Sequence, residues 1–255
     1  MKKLTFVLVL LLLMALLASC DDEKAGGDDG GAGLGDISVD DTTGDDGDDD
    51  ADDGNGAGTD PDKDQTGDKT DGLPEGFSYT IWPEGMTLSG SEEYVLELAV
   101  STLFLLKNED WGALGAMVHP KQGLTFSPYG YVDESSAIRL GAGDVKALGF
   151  DEDVRTWGIF DGSGEPIEYT FAEYYGRFIF DRDFTKEPQV AIDRIIRTNL
   201  LENLDIFGNG ASWVEFHIPG SGPEDDFNWA SLRLVLGPYE GDLYLVAIIH
   251  DQWTI

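Results

Sequence analysis

Cysteine and histidine, the side chains best suited to nucleophilic, proton-transfer and metal chemistry near neutral pH, are few and scattered in this 255-residue sequence: one cysteine, Cys20, and three histidines, His119, His217 and His250. His250-Asp251 sets an imidazole beside a carboxylate, the two groups that general-base catalysis uses most. Neighbouring residues of a strand point to opposite faces, so this pair shares a pocket only across a bulge. His119, followed by Pro120 at the end of a predicted helix, is the better placed candidate base, with Asp251 as the other candidate. Tyr129, Tyr131 and Trp157 are the aromatic neighbours that would line a ligand site with His119. The competing reading of His119 is a histidine satisfying a helix C-terminus.

Metal chemistry is not indicated. No His-x-His or His-Glu-x-x-His occurs, the histidines lie far apart, and no cysteine is available as a further ligand. No cofactor motif is present either. Asp161-Gly162-Ser163-Gly164-Glu165 has neither the strand–helix context of a nucleophile elbow nor a phosphate loop, and it predicts a tight turn.

Cys20 has a different chemistry available. Met1-Lys2-Lys3 is a positive start, Leu4 to Leu17 is an apolar run of secretory-signal length, and small residues precede the cysteine in Leu17-Ala18-Ser19-Cys20. The run is short for a membrane span, which needs about 20 apolar residues, and Asp21-Asp22-Glu23 follows at once. The pattern resembles the lipobox of bacterial lipoproteins. The resemblance implies cleavage after residue 19, acylation of the Cys20 sulfur, and a mature chain anchored on the extracytoplasmic side of a bacterial membrane. A lone cysteine also excludes an intramolecular disulfide.

Residues 20–75 form the second region. Positions 21–75 hold 21 acidic residues, 3 lysines and 13 glycines, with Leu34, Ile37, Val39 and Leu73 as the only larger aliphatic residues. So little apolar surface cannot offset about 1–2 kcal/mol of backbone ordering per residue, and like charges repel, so a disordered, extended linker is expected. Asp62-Lys63-Asp64-Gln65-Thr66-Gly67-Asp68 begins like a calcium loop, but its twelfth position is Leu73, where a bidentate glutamate is required. The formal net charge of −34 excludes nucleic acid as a partner, because phosphate binding requires clustered Lys and Arg. It also leaves the acyl chains as the only hold on an anionic membrane.

All 6 tryptophans and all 9 tyrosines lie beyond residue 75, so residues 76–255 are expected to be one globular domain, a size usual for a single core. Ser89-Gly90-Ser91-Glu92 and Thr170-Phe171-Ala172-Glu173 are capping boxes. They predict helices running to about Leu106 and over about Phe171–Phe180, with a short helix over Asp110–Val118 between them. Strands are predicted over Gly123–Tyr129, Val190–Thr198, Ser212–Ile218, Trp229–Leu236 and Leu243–Trp253, the last two joined by a turn at Gly237–Asp242.

Helices first and hairpin-connected strands after them indicate an α+β fold with about three helices on one face of a curved antiparallel sheet. In that order of elements, and in Val118-His119-Pro120, Phe126-Ser127-Pro128-Tyr129 and Ile248-Ile249-His250-Asp251-Gln252-Trp253, the chain resembles envelope lipoproteins with nuclear transport factor 2-like (cystatin-like) domains. Another α+β sandwich or a half-open β-barrel with lid helices is the alternative architecture. Members of the superfamily include isomerases, dehydratases, scaffolds and binding modules, so the resemblance implies a fold and leaves the activity open.

Period-two alternation orients the strands. Val214, Phe216 and Ile218 oppose Trp213, Glu215 and His217, while Leu232, Leu234 and Leu236 oppose Ser231, Arg233 and Val235. Paired antiparallel, the two strands bring Glu215, His217 and Arg233 together away from the helices, as a solvated face or as a docking or dimer surface. The last strand is apolar on both faces and must be central or covered twice, by Phe77–Trp82 or by another subunit. The expected function is a tethered, non-catalytic binding or docking module for an envelope protein, a peptide, a glycan or a small ligand. The alternative is a small-molecule isomerase, dehydratase or hydrolase working in a cone-shaped pocket between sheet and helices.

Overall fold

A computed structural model describes residues 72–198, 202–221 and 227–254. Cys20, the apolar run before it, the Asp/Gly-rich region and its calcium-like loop lie outside the described residues.

Seven strands form one sheet: β1 (Thr80–Ile81), β2 (Leu124–Ser127), β3 (Ile138–Leu140), β6 (Gln189–Ile192), β7 (Ser212–Ile218), β8 (Ala230–Tyr239) and β9 (Asp242–Gln252), in the order β1-β6-β7-β8-β9-β2-β3. A separate hairpin pairs β4 (Arg155–Ile159) with β5 (Pro166–Tyr169). The helices are α1 (Gly90–Lys107), α2 (Trp111–Met117), α3 (Ala142–Ala147) and α4 (Phe171–Phe178). The fold is therefore α+β, but its sheet is mixed. β1 runs parallel to β6 and β2 parallel to β9, while the other neighbours are antiparallel. The expectation of a wholly antiparallel sheet fails because the β2–β9 and β1–β6 pairs are joined by long connections rather than hairpins, which leaves strand direction free.

Both predicted capping boxes form. The Ser89 hydroxyl accepts from Glu92 N while the Glu92 carboxylate accepts from Ser89 N, and Thr170 and Glu173 do the same. Asp110 caps α2 through Ala113 N. α1 crosses β6, β7 and β8. The Tyr175 hydroxyl of α4 donates to Leu106 O of α1 at 2.7 Å, and Trp111 of α2 packs edge-on against Phe171 and Tyr175. These three helices thus form one layer over the sheet.

The register is the one alternation indicates. Val190, Phe216, Leu232 and His250 form one cross-strand row, and Ile192, Val214, Leu234, Ile248 and Phe126 form the next. Both rows face the helices, where the Phe126 ring meets Phe171 and Tyr174. The opposite face carries the rows Ala191-Glu215-Arg233-Ile249 and Gln189-His217-Ser231-Asp251.

The second face is not solvated. β6 ends at Ile192, short of the expected Thr198, because Asp193 turns with φ 51 and its carboxylate caps Trp213 N at 2.9 Å. The chain then crosses the sheet, and Leu204 and Phe207 join Val132, Val235, Ala247 and Ile249 in a second apolar cluster. Asn203 pins this cover by donating to Val132 O and accepting from Val132 N, both at 2.9 Å. β9 is accordingly central and covered twice within the chain. Its second cover is not Phe77–Trp82, whose Thr80–Ile81 segment instead extends the sheet beyond β6.

Candidate functional site

Arg233 is fully buried (0% exposed) at the middle of the second face. Its Nε donates to Glu215 Oε2 at 3.0 Å, and its Nη2 donates to Asp251 Oδ2 at 2.9 Å and to Arg197 O at 2.8 Å. Glu202 Oε1 stands 3.3 Å from the same Nη2. Burial opposes the charge on Arg233, and Glu215, Asp251 and Glu202 outweigh it, so its pKa rises. Burial also raises the Glu202 carboxyl pKa against the pull of Arg233.

Glu215 is saturated with donors. Besides Arg233 it accepts from Ser231 Oγ at 2.7 Å, from Ile196 N at 3.1 Å and more weakly from Arg197 N at 3.5 Å. Ser231 Oγ lies 2.9 Å from His217 Nδ1. Since the Ser231 hydroxyl gives its proton to Glu215, His217 must donate from Nδ1, a tautomer assigned from the network. Burial, helped by Arg197, Arg233 and Arg182, depresses the His217 pKa to about 4, so the ring is neutral.

A serine, a histidine and a carboxylate are therefore in contact, but with proton directions wrong for nucleophilic catalysis. The base should accept from serine, whereas here the histidine donates to it. The set fastens the segment after Asp193 to the sheet. Gly130 closes it from above, where an added Cβ would lie 2.6 Å from Asp251 Oδ2 and 3.1 Å from Arg233 Nη1. Glu215, His217 and Arg233 do share the face away from the helices, as expected. The solvated or docking surface expected there is corrected: all three are buried beneath the chain's own cover.

Asp251 and His250 lie on opposite faces, as strand alternation requires. Asp251 is held by Arg233, while the His250 Nε2 lies 3.1 Å from Asp181 Oδ1 on the helix side. Burial works to raise the Asp181 pKa, and His250 with Arg182 outweighs it, leaving that carboxyl lowered. His119 is also buried, and its Nδ1 accepts from Lys121 N at 3.1 Å and Gln122 N at 3.0 Å. That bond pattern places the neutral ring's proton on Nε2, so neither nitrogen offers a free lone pair to a substrate. His119 thus closes a loop, and its ring packs near Tyr239 and Tyr244 rather than beside the expected aromatic trio.

That trio is dispersed. Trp157 is buried in the helix-side core, stacked on Tyr174 at 4.2 Å with its Nε1 donating to Tyr169 O. Tyr129 packs edge-on against Phe178 and its hydroxyl accepts from Asp161 N. Tyr131 is exposed. The space between sheet and helices, where a cone-shaped pocket was anticipated, holds Phe126, Trp157, Phe171, Tyr174 and Phe178, all buried.

Two small concavities lie beside β3. One, about 220 Å³, is bounded by Thr125, Val132, Glu134, Ala137 and Arg139. The other, about 230 Å³, lies between the His119–Gly123 loop and Leu140–Ala142, with Lys121 and Arg139 on its rim. These two cations escaped the sequence reading. The signal that could have found them is Ile138-Arg139-Leu140, a short alternating segment with a central cation in a strongly acidic chain.

No protein-family model matches the chain, and no curated protein does. Among the described residues, no group of His, Cys, Asp and Glu side chains is arranged to hold a metal ion, and no helix is long and apolar enough to cross a membrane.

Proposed function

We propose that this chain is a lipoprotein anchored through Cys20 on the extracytoplasmic side of a bacterial membrane, whose domain is a non-catalytic docking module of the nuclear transport factor 2-like type. The carrying observation is where its chemistry has been spent. His119, Asp251, His250 and Glu215 are all engaged in bonds that hold loops and covers to the sheet. By contrast, Lys121 and Arg139 stand exposed at the open edge of that sheet.

Supporting the anchor are the charged start, the apolar run and Leu17-Ala18-Ser19-Cys20. Supporting the fold type are three helices layered on one face of a large sheet and the order of elements. The enzyme alternative has its cone occupied by stacked aromatic side chains.

Two experiments test the reading. Cys20→Ser should leave the protein unprocessed at residue 20 and shift it out of the acylated fraction; normal acylation of that variant would sink the anchor. For docking, a photo-crosslinking amino acid is placed at position 139 on β3, or at the exposed position 168 of β5, in cells. Adducts to another envelope protein support a docking module, and adducts from neither site overturn it.

A further inference from the structure

β3 is the last strand of the sheet, and among the described residues no strand pairs with its outer side. An open edge of this kind accepts an extended peptide as an extra strand, with main-chain bonds for affinity and side-chain pockets for selectivity. Both concavities flank this edge, and Arg139 borders each of them. At about 220 and 230 Å³, each is below the range of whole small-molecule sites, roughly 300–1,000 Å³, and suits one side chain.

The charges select which side chain. In a chain of net charge −34, Lys107, Arg155, Arg182, Lys186 and Arg233 all have carboxylate partners. Lys121 and Arg139 have none among the described residues. Arg139 Nε donates to Thr125 Oγ1 at 3.1 Å, which steadies the guanidinium and leaves its two Nη groups for a bidentate carboxylate. A second copy of this chain is disfavoured at the same edge. Arg139 is the middle residue of a three-residue strand, so two-fold pairing would set arginine against arginine, and like charges directly opposed repel.

Resting on the docking reading above, we infer that β3 receives an extended acidic segment of a partner protein as an added strand, with an Asp or Glu carboxylate seated between Lys121 and Arg139. The neighbouring concavity, bounded by Thr125, Val132, Glu134, Ala137 and Arg139, takes a small hydroxyl side chain from the same face of that strand, where alternate residues repeat every ~6.8 Å.

The test uses the full chain in detergent and the labelled peptide acetyl-Asp-Val-Thr-Val-Asp-Val-Thr-Val-amide, whose aspartates and threonines alternate along one face of an extended strand, followed by fluorescence anisotropy. Binding should weaken at least tenfold in Arg139→Glu and in Lys121→Glu, and survive largely in Arg139→Lys. Replacing the peptide's aspartates with asparagine, or methylating its backbone nitrogens, should each abolish it. Equal binding to the charge-reversed variants overturns the site. Equal binding of the asparagine peptide overturns carboxylate recognition, and equal binding of the methylated peptide overturns strand addition. If no peptide binds and Arg139→Val merely makes the protein self-associate, Arg139 is an edge guard only and the inference fails. Crosslinks from position 168 but not 139 would likewise remove this site while leaving the docking reading intact.

Discussion

The two faces of the sheet are buried to the same degree by opposite means. Toward the helices lie Val214, Phe216, Leu232, Leu234 and Ile248, closed by the aromatic set around Trp157 and Tyr174. Toward the cover lie Glu215, Ser231, Arg233 and Asp251, all at most 1% exposed. Apolar packing is tolerant of the partner's identity and repays area removed from water. A buried ionic group is intolerant, since each member is costly unless every partner is in place. The helix face can therefore supply stability, whereas the charged face specifies which segment lies on it: only a chain presenting Ile196 N, Arg197 N and Arg197 O at the right positions satisfies Glu215 and Arg233.

The largest expected effect is on the charged face. Arg233→Ala strands three carboxylates and should cost about 3–5 kcal/mol, measured by urea denaturation. A loss under about 1 kcal/mol would mean that the ionic face behaves like a wet surface. Leu234→Ala on the helix face should cost about 2–5 kcal/mol, through lost transfer energy and a cavity. An indifferent Leu234 variant would refute the assigned register.

The pH dependence sharpens the comparison, because the charged face carries a histidine whose pKa is depressed by burial. His217 titrates at about 4 in the fold and near 6.5 when unfolded. The unfolded chain thus binds more protons between these values, and this contribution to stability is fully present above pH 6.5 and is lost as pH falls toward 4. The slope should approach about 1.4 kcal/mol per pH unit. Glu202, whose pKa is raised by burial, acts in the opposite sense above the ordinary glutamate range. His217→Gln isolates the histidine, and denaturation at pH 7, 6 and 5 should show a flatter profile than the parent. An unchanged profile would break the assignment of a neutral buried His217.

The smallest effect is expected at the edge. Arg139→Ala and Lys121→Ala should shift stability by under about 0.5 kcal/mol, since neither has a charged partner to lose. A shift comparable to that of Arg233→Ala would mean that the edge cations hold the fold together.

Much of the fold was legible because its signals are local. Capping boxes at Ser89 and Thr170 depend on residues three positions apart, and the faces of β7 and β8 depend on alternation alone. The elements that escaped notice have weak local signals. α3 is Ala-Gly-Asp-Val-Lys-Ala with Val145 alone buried, and β4 is interrupted by Gly158 at φ 132. For the candidate site, His250 and Asp251 were rightly separated onto two faces. The backbone partners of His119, Lys121 N and Gln122 N, are set by loop geometry and leave no local mark in the sequence.

The sequence by itself determined the α+β class, the caps, the shared face of Glu215, His217 and Arg233 and the need to cover β9 on both sides, since each follows from periodicity or from neighbours along the chain. Tertiary structure alone decided that Glu215, His217 and Arg233 are buried, that Trp157 fills the core rather than a pocket, and that β3 is left at the open edge beside Lys121. The reason is physical. Alternation assigns a side chain to a face, but only the path of the rest of the chain decides whether that face meets water, a helix or a segment such as the one after Asp193.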